Sequence, residues 1–140
     1  MTPQDYCKKK TKESHSSFLF AFLFLSQKKR NALTALYAFC REVDDIADEP
    51  NEFGIGKKKL DWWRLEIDRL YNNKPQHPVT KALVLHIADY ELDKTYFIEI
   101  IDGMEMDLKF TRYENFKQLQ QYCYRVASTV GILSAKIFGY

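Results

Sequence analysis

Glycine and proline are scarce, five and four in 140 residues. Turns draw on both, so their shortage argues against a sheet protein and for long helices. Cysteine is equally sparse. Cys7, Cys40 and Cys123 are odd in number, far apart and without any Cys-x-x-Cys, which argues against a disulfide framework and suits free thiols in a reducing, cytoplasmic setting. His15, His77 and His86 show no metal-ligand spacing. Net charge is only +2, and no nucleic-acid motif accompanies the basic triplets Lys8–Lys10, Lys28–Arg30 and Lys57–Lys59, so no nucleic-acid partner is expected. The eight-residue apolar run from Phe18 to Leu25 is too short to span a bilayer, and no small-residue cleavage pattern follows it.

What is present points to one helical domain over residues 1–140. Hydrophobic residues make up 46% and aromatics 15%, enough for a substantial core. Charge is uneven: residues 1–30 hold seven Lys/Arg against two acids, and residues 31–56 hold one Arg against six acids. The basic triplets read as solvated helix ends or as peripheral contact with an anionic surface such as the inner membrane. Residues 1–13, polar and lysine-rich, are expected to fray. A buried helix should follow through Phe18–Leu25, with Ser14, Ser16 and Ser17 as cap candidates. A second should run from Gln27 to Asp48, ended by Pro50, Gly54 and Gly56.

Leu60, Trp63, Ile67 and Leu70 recur at helical spacing and predict a third helix over Lys57–Tyr71, with Trp62 and Trp63 as packing residues. A fourth begins near Pro78, and Asp89 and Asp93 read as surface and capping groups. A fifth covers about Asp93 to Lys109, where Asp107 lies one turn beyond Gly103. The last, Asn115 to Phe138, contains Val126-Ala127-Ser128-Thr129-Val130-Gly131, small and β-branched residues that form helix poorly. They would suit either a smooth wall for an apolar ligand or close helix packing.

The chemistry concentrates in Tyr37 to Asp48. At about 100° per residue, Tyr37, Arg41, Asp44 and Asp48 share a stripe about 60° wide, with Asp45 beside it. Ala32, Leu33, Ala35, Leu36, Ala38 and Phe39 make the same helix apolar nearly all round. On spacing alone an Asp-x-x-x-Asp pair is ordinarily solvated surface. On an apolar helix, crowded acids need a wet cavity, bases or a cation. Arg41 alone cannot balance Glu42, Asp44, Asp45, Asp48 and Glu49. A hard divalent ion shared with substrate phosphates would.

Four segments in order resemble the squalene/phytoene synthase family of head-to-head trans-prenyltransferases: Ser14 to Phe18, Tyr37 to Glu49, Ile101 to Leu108, and Tyr122 to Gly131. The resemblance implies an all-α isoprenoid-synthase fold around a central cavity. It implies that two prenyl diphosphates, farnesyl or geranylgeranyl, condense by magnesium-assisted loss of one diphosphate. The intermediate would be a cyclopropylcarbinyl diphosphate such as presqualene diphosphate. It further implies Asp44 and Asp48 as magnesium ligands, with Asp45 ranked behind them. Tyr37, Arg41 and the segment Ser14, His15, Ser16, Ser17 and Phe18 would meet diphosphate. Asp107, Tyr122, Val126, Val130 and Gly131 would line the second substrate's part of the cavity. Reduction by NADPH, known in such chemistry, has no counterpart in these segments.

Some relatives have His at Ser14, and most have Gly at Ser128; both exchanges look tolerable. The larger departure is that the family's second aspartate-rich motif has no match before Tyr140. The chain is therefore expected to hold about the first half of the fold. Alone it should be weakly active or inactive, and a second chain or a homodimer is expected to cover the exposed apolar face.

Overall fold

The computed structural model describes residues 2–13, 26–48, 53–110 and 128–138, with the side chains of residues 10–13, 48, 53, 107, 109 and 110 excepted. The described elements are α1 (Pro3–Glu13), α2 (Gln27–Asp48), α3 (Phe53–Tyr71), α4 (Pro78–Tyr90) and α5 (Lys94–Phe110), followed by helical residues 128–138, here α6. No strand occurs among the described residues. The fold is all-α.

α2 is the central element. Ala32, Ala35, Ala38 and Phe39 are fully buried, and Leu33 and Leu36 nearly so, on several sides of the helix at once. The strong helix formers Ala and Leu in this segment explain its length, and α1, α3, α4 and α5 all pack against it. Phe39 anchors the core, edge-on to Trp63 at 5.8 Å and to Phe97 at 5.2 Å between ring centroids.

The expectation that residues 1–13 fray is corrected, because Pro3–Glu13 forms α1. Thr2 and Asp5 make a reciprocal cap: the Asp5 amide donates to Thr2 Oγ1 at 3.0 Å, and the Thr2 amide donates to Asp5 Oδ2 at 3.3 Å. Pro3 then sits where its missing N–H costs nothing. Cys7 is fully buried, and Tyr6 donates its hydroxyl hydrogen to Glu42 Oε1 at 2.5 Å, which ties α1 to α2.

α3 starts at Phe53, four residues before the expected Lys57, so Gly54 and Gly56 lie in its first turn instead of a loop. Gly56 is needed for packing: a Cβ there would lie 2.8 Å from Leu108 Cδ1 of α5. Arg64 strengthens the same seam, donating to Asp61 of its own helix at 2.6 Å and to Asp102 and Glu105 of α5 at 2.8 and 3.0 Å. Gly56→Val should overpack this contact and lower stability by about 1–3 kcal/mol, read as an earlier urea midpoint at unchanged slope.

The α3–α4 connection is pinned by Glu66, a fully buried carboxylate. It accepts from Arg69 Nε at 2.7 Å, the amides of Gln76 and His77 at 2.8 and 2.7 Å, and Thr80 Oγ1 at 2.5 Å. His77 caps α4, its Nδ1 accepting from the Val79 amide at 3.1 Å, and Pro78 opens the helix. Glu91 ends it in the left-handed region at φ 52°. Asp93 caps α5 through the Thr95 amide at 2.8 Å, and Asp89 pairs with Lys28 at 3.1 Å, the capping and surface roles expected of them.

Candidate active site

Tyr37, Arg41, Asp44 and Asp45 lie on a side of α2 that the core leaves partly open. Arg41 holds the acids on both sides: Nη1 is 3.7 Å from Asp44 Oδ2, and Nε is 3.1 Å from Asp45 Oδ1. These side chains keep partial access to solvent, 40% for Arg41, 39% for Asp44 and 31% for Asp45. Tyr37, one turn earlier, is half-buried. The tighter pairing of Asp45 with Arg41 leaves Asp44 as the acid less engaged by the guanidinium. Between them, burial and then the charge of Asp44 push the Cys40 thiol up to about 12, so it stays neutral.

Asp48 ends α2 one turn past Asp44, and its side chain lies outside the described residues, as does that of Asp107 on α5. Ser14, His15, Ser16, Ser17, Phe18, Tyr122 and Val126 also fall outside them. Val130 is half-buried on α6, whereas Gly131 is exposed with nothing within 4 Å of a Cβ placed there. Thr129 donates to Glu99 Oε2 at 3.1 Å and fixes α6 to α5. The same helix leaves Ile132 at 43% and Phe138 at 36% exposed.

Among the described residues no three His, Cys, Asp or Glu side chains form a group able to hold a metal ion. Magnesium does not need three. It takes one or two carboxylates, keeps several waters and completes its shell with substrate phosphates. Asp44, a hard oxygen donor with solvent access, fits that role, and Asp48 adds a second carboxylate to the same helix.

A cleft of about 310 Å³ opens on a different flank of α2, bordered by Glu42, Asp45, Ile46, Lys59, Trp62, Trp63 and His77. Only Asp45 belongs both to this cleft and to the aspartate cluster. His77, one of the histidines without metal-ligand spacing, borders the cleft and lies against Trp63 at 4.7 Å between ring centroids. Its position before Pro78 was the available signal, since that is where a helix cap belongs.

The chain is similar to known synthases along nearly its whole length. Residues 11–140 match the family described as squalene/phytoene synthase. It is 36% identical over 135 residues to the chloroplastic phytoene synthase of Daucus carota, covering 96% of this chain and 34% of that protein. It is 36% identical over 133 residues to 15-cis-phytoene synthase of Synechococcus elongatus, covering 95% of this chain and 43% of that protein. The crystal structure of squalene synthase HpnC from Alicyclobacillus acidocaldarius superposes with a TM-score of 0.81 at 29% identity, over 98% of this chain and 51% of that one. The chain thus spans from about a third to about half the length of these proteins. Fold, aspartate helix and relatives agree: the chain belongs to the squalene/phytoene synthase family.

Proposed function

We propose that this chain supplies the first wall of a prenyltransferase that joins two prenyl diphosphates head to head. The substrates are farnesyl or geranylgeranyl diphosphate, and the product forms through a cyclopropylcarbinyl diphosphate such as presqualene diphosphate. The observation that carries this reading is the Tyr37-Arg41-Asp44-Asp48 spacing on a helix whose Ala32, Leu33, Ala35, Leu36, Ala38 and Phe39 are buried. Asp44 and Asp48 would hold magnesium. When bound, that ion draws charge from the departing diphosphate as a Lewis acid. Arg41 presents a planar fork to phosphate oxygens while steadying Asp44 and Asp45, and Tyr37 offers a hydroxyl on the same stripe. Asp107, Tyr122, Val126, Val130 and Gly131 would meet the second prenyl chain. Phe18 and the serines before it would help to receive the diphosphate with His15.

A second reading has the chain bind a prenyl diphosphate without turning it over, until carboxylates from another polypeptide segment face Asp44. The open carboxylate face and the exposed Ile132 and Phe138 favour it. Either way the chain belongs on the cytoplasmic side, in peripheral contact with the inner membrane, where an apolar prenyl chain partitions. Titrating farnesyl and geranylgeranyl diphosphate calorimetrically, with and without magnesium, tests the shared step. Saturable binding that strengthens at least about tenfold with magnesium is expected. Equal binding in the presence of a chelator overturns both readings, and condensation product in the same tubes selects the first.

A further inference from the structure

The cleft beside α2 shares only Asp45 with the aspartate cluster, and its walls are of two kinds. Trp62 and Trp63 of α3 and the His77 ring form an aromatic corner. Trp62 stands at 86° to Trp63 and 69° to His77, with centroids 5.2 and 6.1 Å apart. Trp63 is a packing residue, 5% exposed, whereas Trp62 is 40% exposed. From α2 come Glu42 and Asp45, three residues apart and so on one side of the helix. Ring planes meeting at steep angles beside carboxylates suit an organic cation, which is drawn both by ring faces and by negative charge.

The bordering side chains also select the kind of cation. A primary ammonium brings three N–H donors that need acceptors. His77 spends Nδ1 on the Val79 amide, and the indoles and Lys59 can only donate. Among the described side chains at the cleft, Glu42 and Asp45 remain as acceptors, and they already receive Tyr6 and Arg41. A quaternary ammonium has no N–H to satisfy and takes its attraction from charge and ring faces. Arg69 lies over Trp62 at 5.4 Å from the ring centroid but does not border the cleft, so it is not the cation that this corner would hold. Lys59 borders it as an exposed side chain whose charge works against a cation. At about 310 Å³ the cleft is small beside ligand pockets of about 300–1,000 Å³, so its ligand is small.

We propose that this cleft binds a small quaternary ammonium ion free in solution, its methyl groups against Trp62, Trp63 and His77 and its charge facing Glu42 and Asp45. The proposal does not depend on the transferase reading, and its test needs neither a prenyl diphosphate nor magnesium.

The full chain is titrated calorimetrically with choline, with methylammonium, and with the neutral alcohol in which carbon replaces the quaternary nitrogen of choline. Saturable choline binding at about millimolar concentration is expected, at least about tenfold tighter than either comparison. Trp62→Leu, which keeps an apolar side chain without a ring, should lose about fivefold or more. Glu42→Gln, which keeps an acceptor for Tyr6, should lose as much, with circular dichroism unchanged in both. Lys59→Gln should bind choline more tightly, because a like charge is gone. Leu85→Gln, on an exposed site of α4, should bind as the parent does. Absence of saturable binding by the folded chain overturns the proposal, as does equal binding of the alcohol or of methylammonium. So does undiminished binding by Trp62→Leu. Weaker binding by Lys59→Gln would assign the cleft to an anionic or zwitterionic ligand and overturn it. Binding to phosphatidylcholine vesicles without binding of free choline would assign it to a lipid head and overturn it too.

Discussion

Glu66→Ala should cost the fold about 3–5 kcal/mol, the largest stability loss expected of a single substitution here. The carboxylate has no solvent exposure and collects four donors, the Gln76 and His77 amides, Thr80 Oγ1 and Arg69 Nε. Removing it leaves these donors facing a void and strips Arg69, whose Nη2 is already buried without a partner, of its ion pair. The α3–α4 connection and the cap of α4 would loosen together, because His77 serves both. Glu66→Gln keeps the shape but sets an amide hydrogen against a donor, and about 2–3 kcal/mol is expected. Thermal unfolding should show Tm falling by roughly 10 °C or more for the alanine variant.

Acidity gives an independent readout of the same group. Burial alone would raise the Glu66 pKa, but the hydrogen bonds from Thr80, His77, Arg69 and Gln76 outweigh it and hold the pKa below the usual carboxylate value. A folded-state pKa below the unfolded one means that the stabilisation is complete above about pH 4.3, the unfolded value. It is lost as pH falls through the depressed folded value. Urea midpoints of the parent should drop along that acid limb, and those of Glu66→Gln should drop less. Parallel acid limbs would show that the carboxylate is not the group responsible.

Glu66 was not legible in the sequence, for a physical reason. Two of its four donors are backbone amides in a connection, and backbone amides carry no residue signature. The connection returns to Glu66 only through the turn at Asn72-Asn73, with Asn73 at φ 64°. α2 was legible from end to end, because its apolar residues repeat at helical spacing and Pro50 forbids continuation. α1 was hidden by its own lysines. Composition predicted fraying, while Thr2-Pro3-Gln4-Asp5 spelled a capped helix start that outweighed it. At the start of α3 the glycines suggested a loop, yet Gly56 admits Leu108, a demand set by a helix 52 residues away. In the aspartate cluster, spacing put Asp45 beside the stripe. Its pairing with Arg41 took coordinates, since an arginine can reach an acid three or four residues on, and here it reaches both.

That division between neighbouring acids sets the second large effect. Asp44→Asn should lower magnesium-dependent affinity for farnesyl diphosphate by more than about 100-fold, whereas Asp45→Asn should cost about tenfold. Asp44 offers its carboxylate with Arg41 at 3.7 Å and 39% of its side chain in solvent, so an ion and its waters can reach it. Asp45 spends its carboxylate on Arg41 Nε at 3.1 Å and acts through that arginine by fixing where the guanidinium points. Neither substitution should unfold the chain, because exposed i,i+3 and i,i+4 ion pairs contribute only about 0.3–0.5 kcal/mol each. The two variants should also differ in kind. Asp44→Asn should abolish the response to magnesium, while Asp45→Asn should keep it and lose affinity at every magnesium concentration alike. Arg41→Lys should resemble Asp45→Asn, since it keeps the charge but loses the planar fork. Calorimetric titrations across magnesium concentrations, with circular dichroism to verify folding, distinguish these patterns. If Asp44→Asn responds to magnesium as the parent does, the ion is held elsewhere, and α2 contributes only a charged surface.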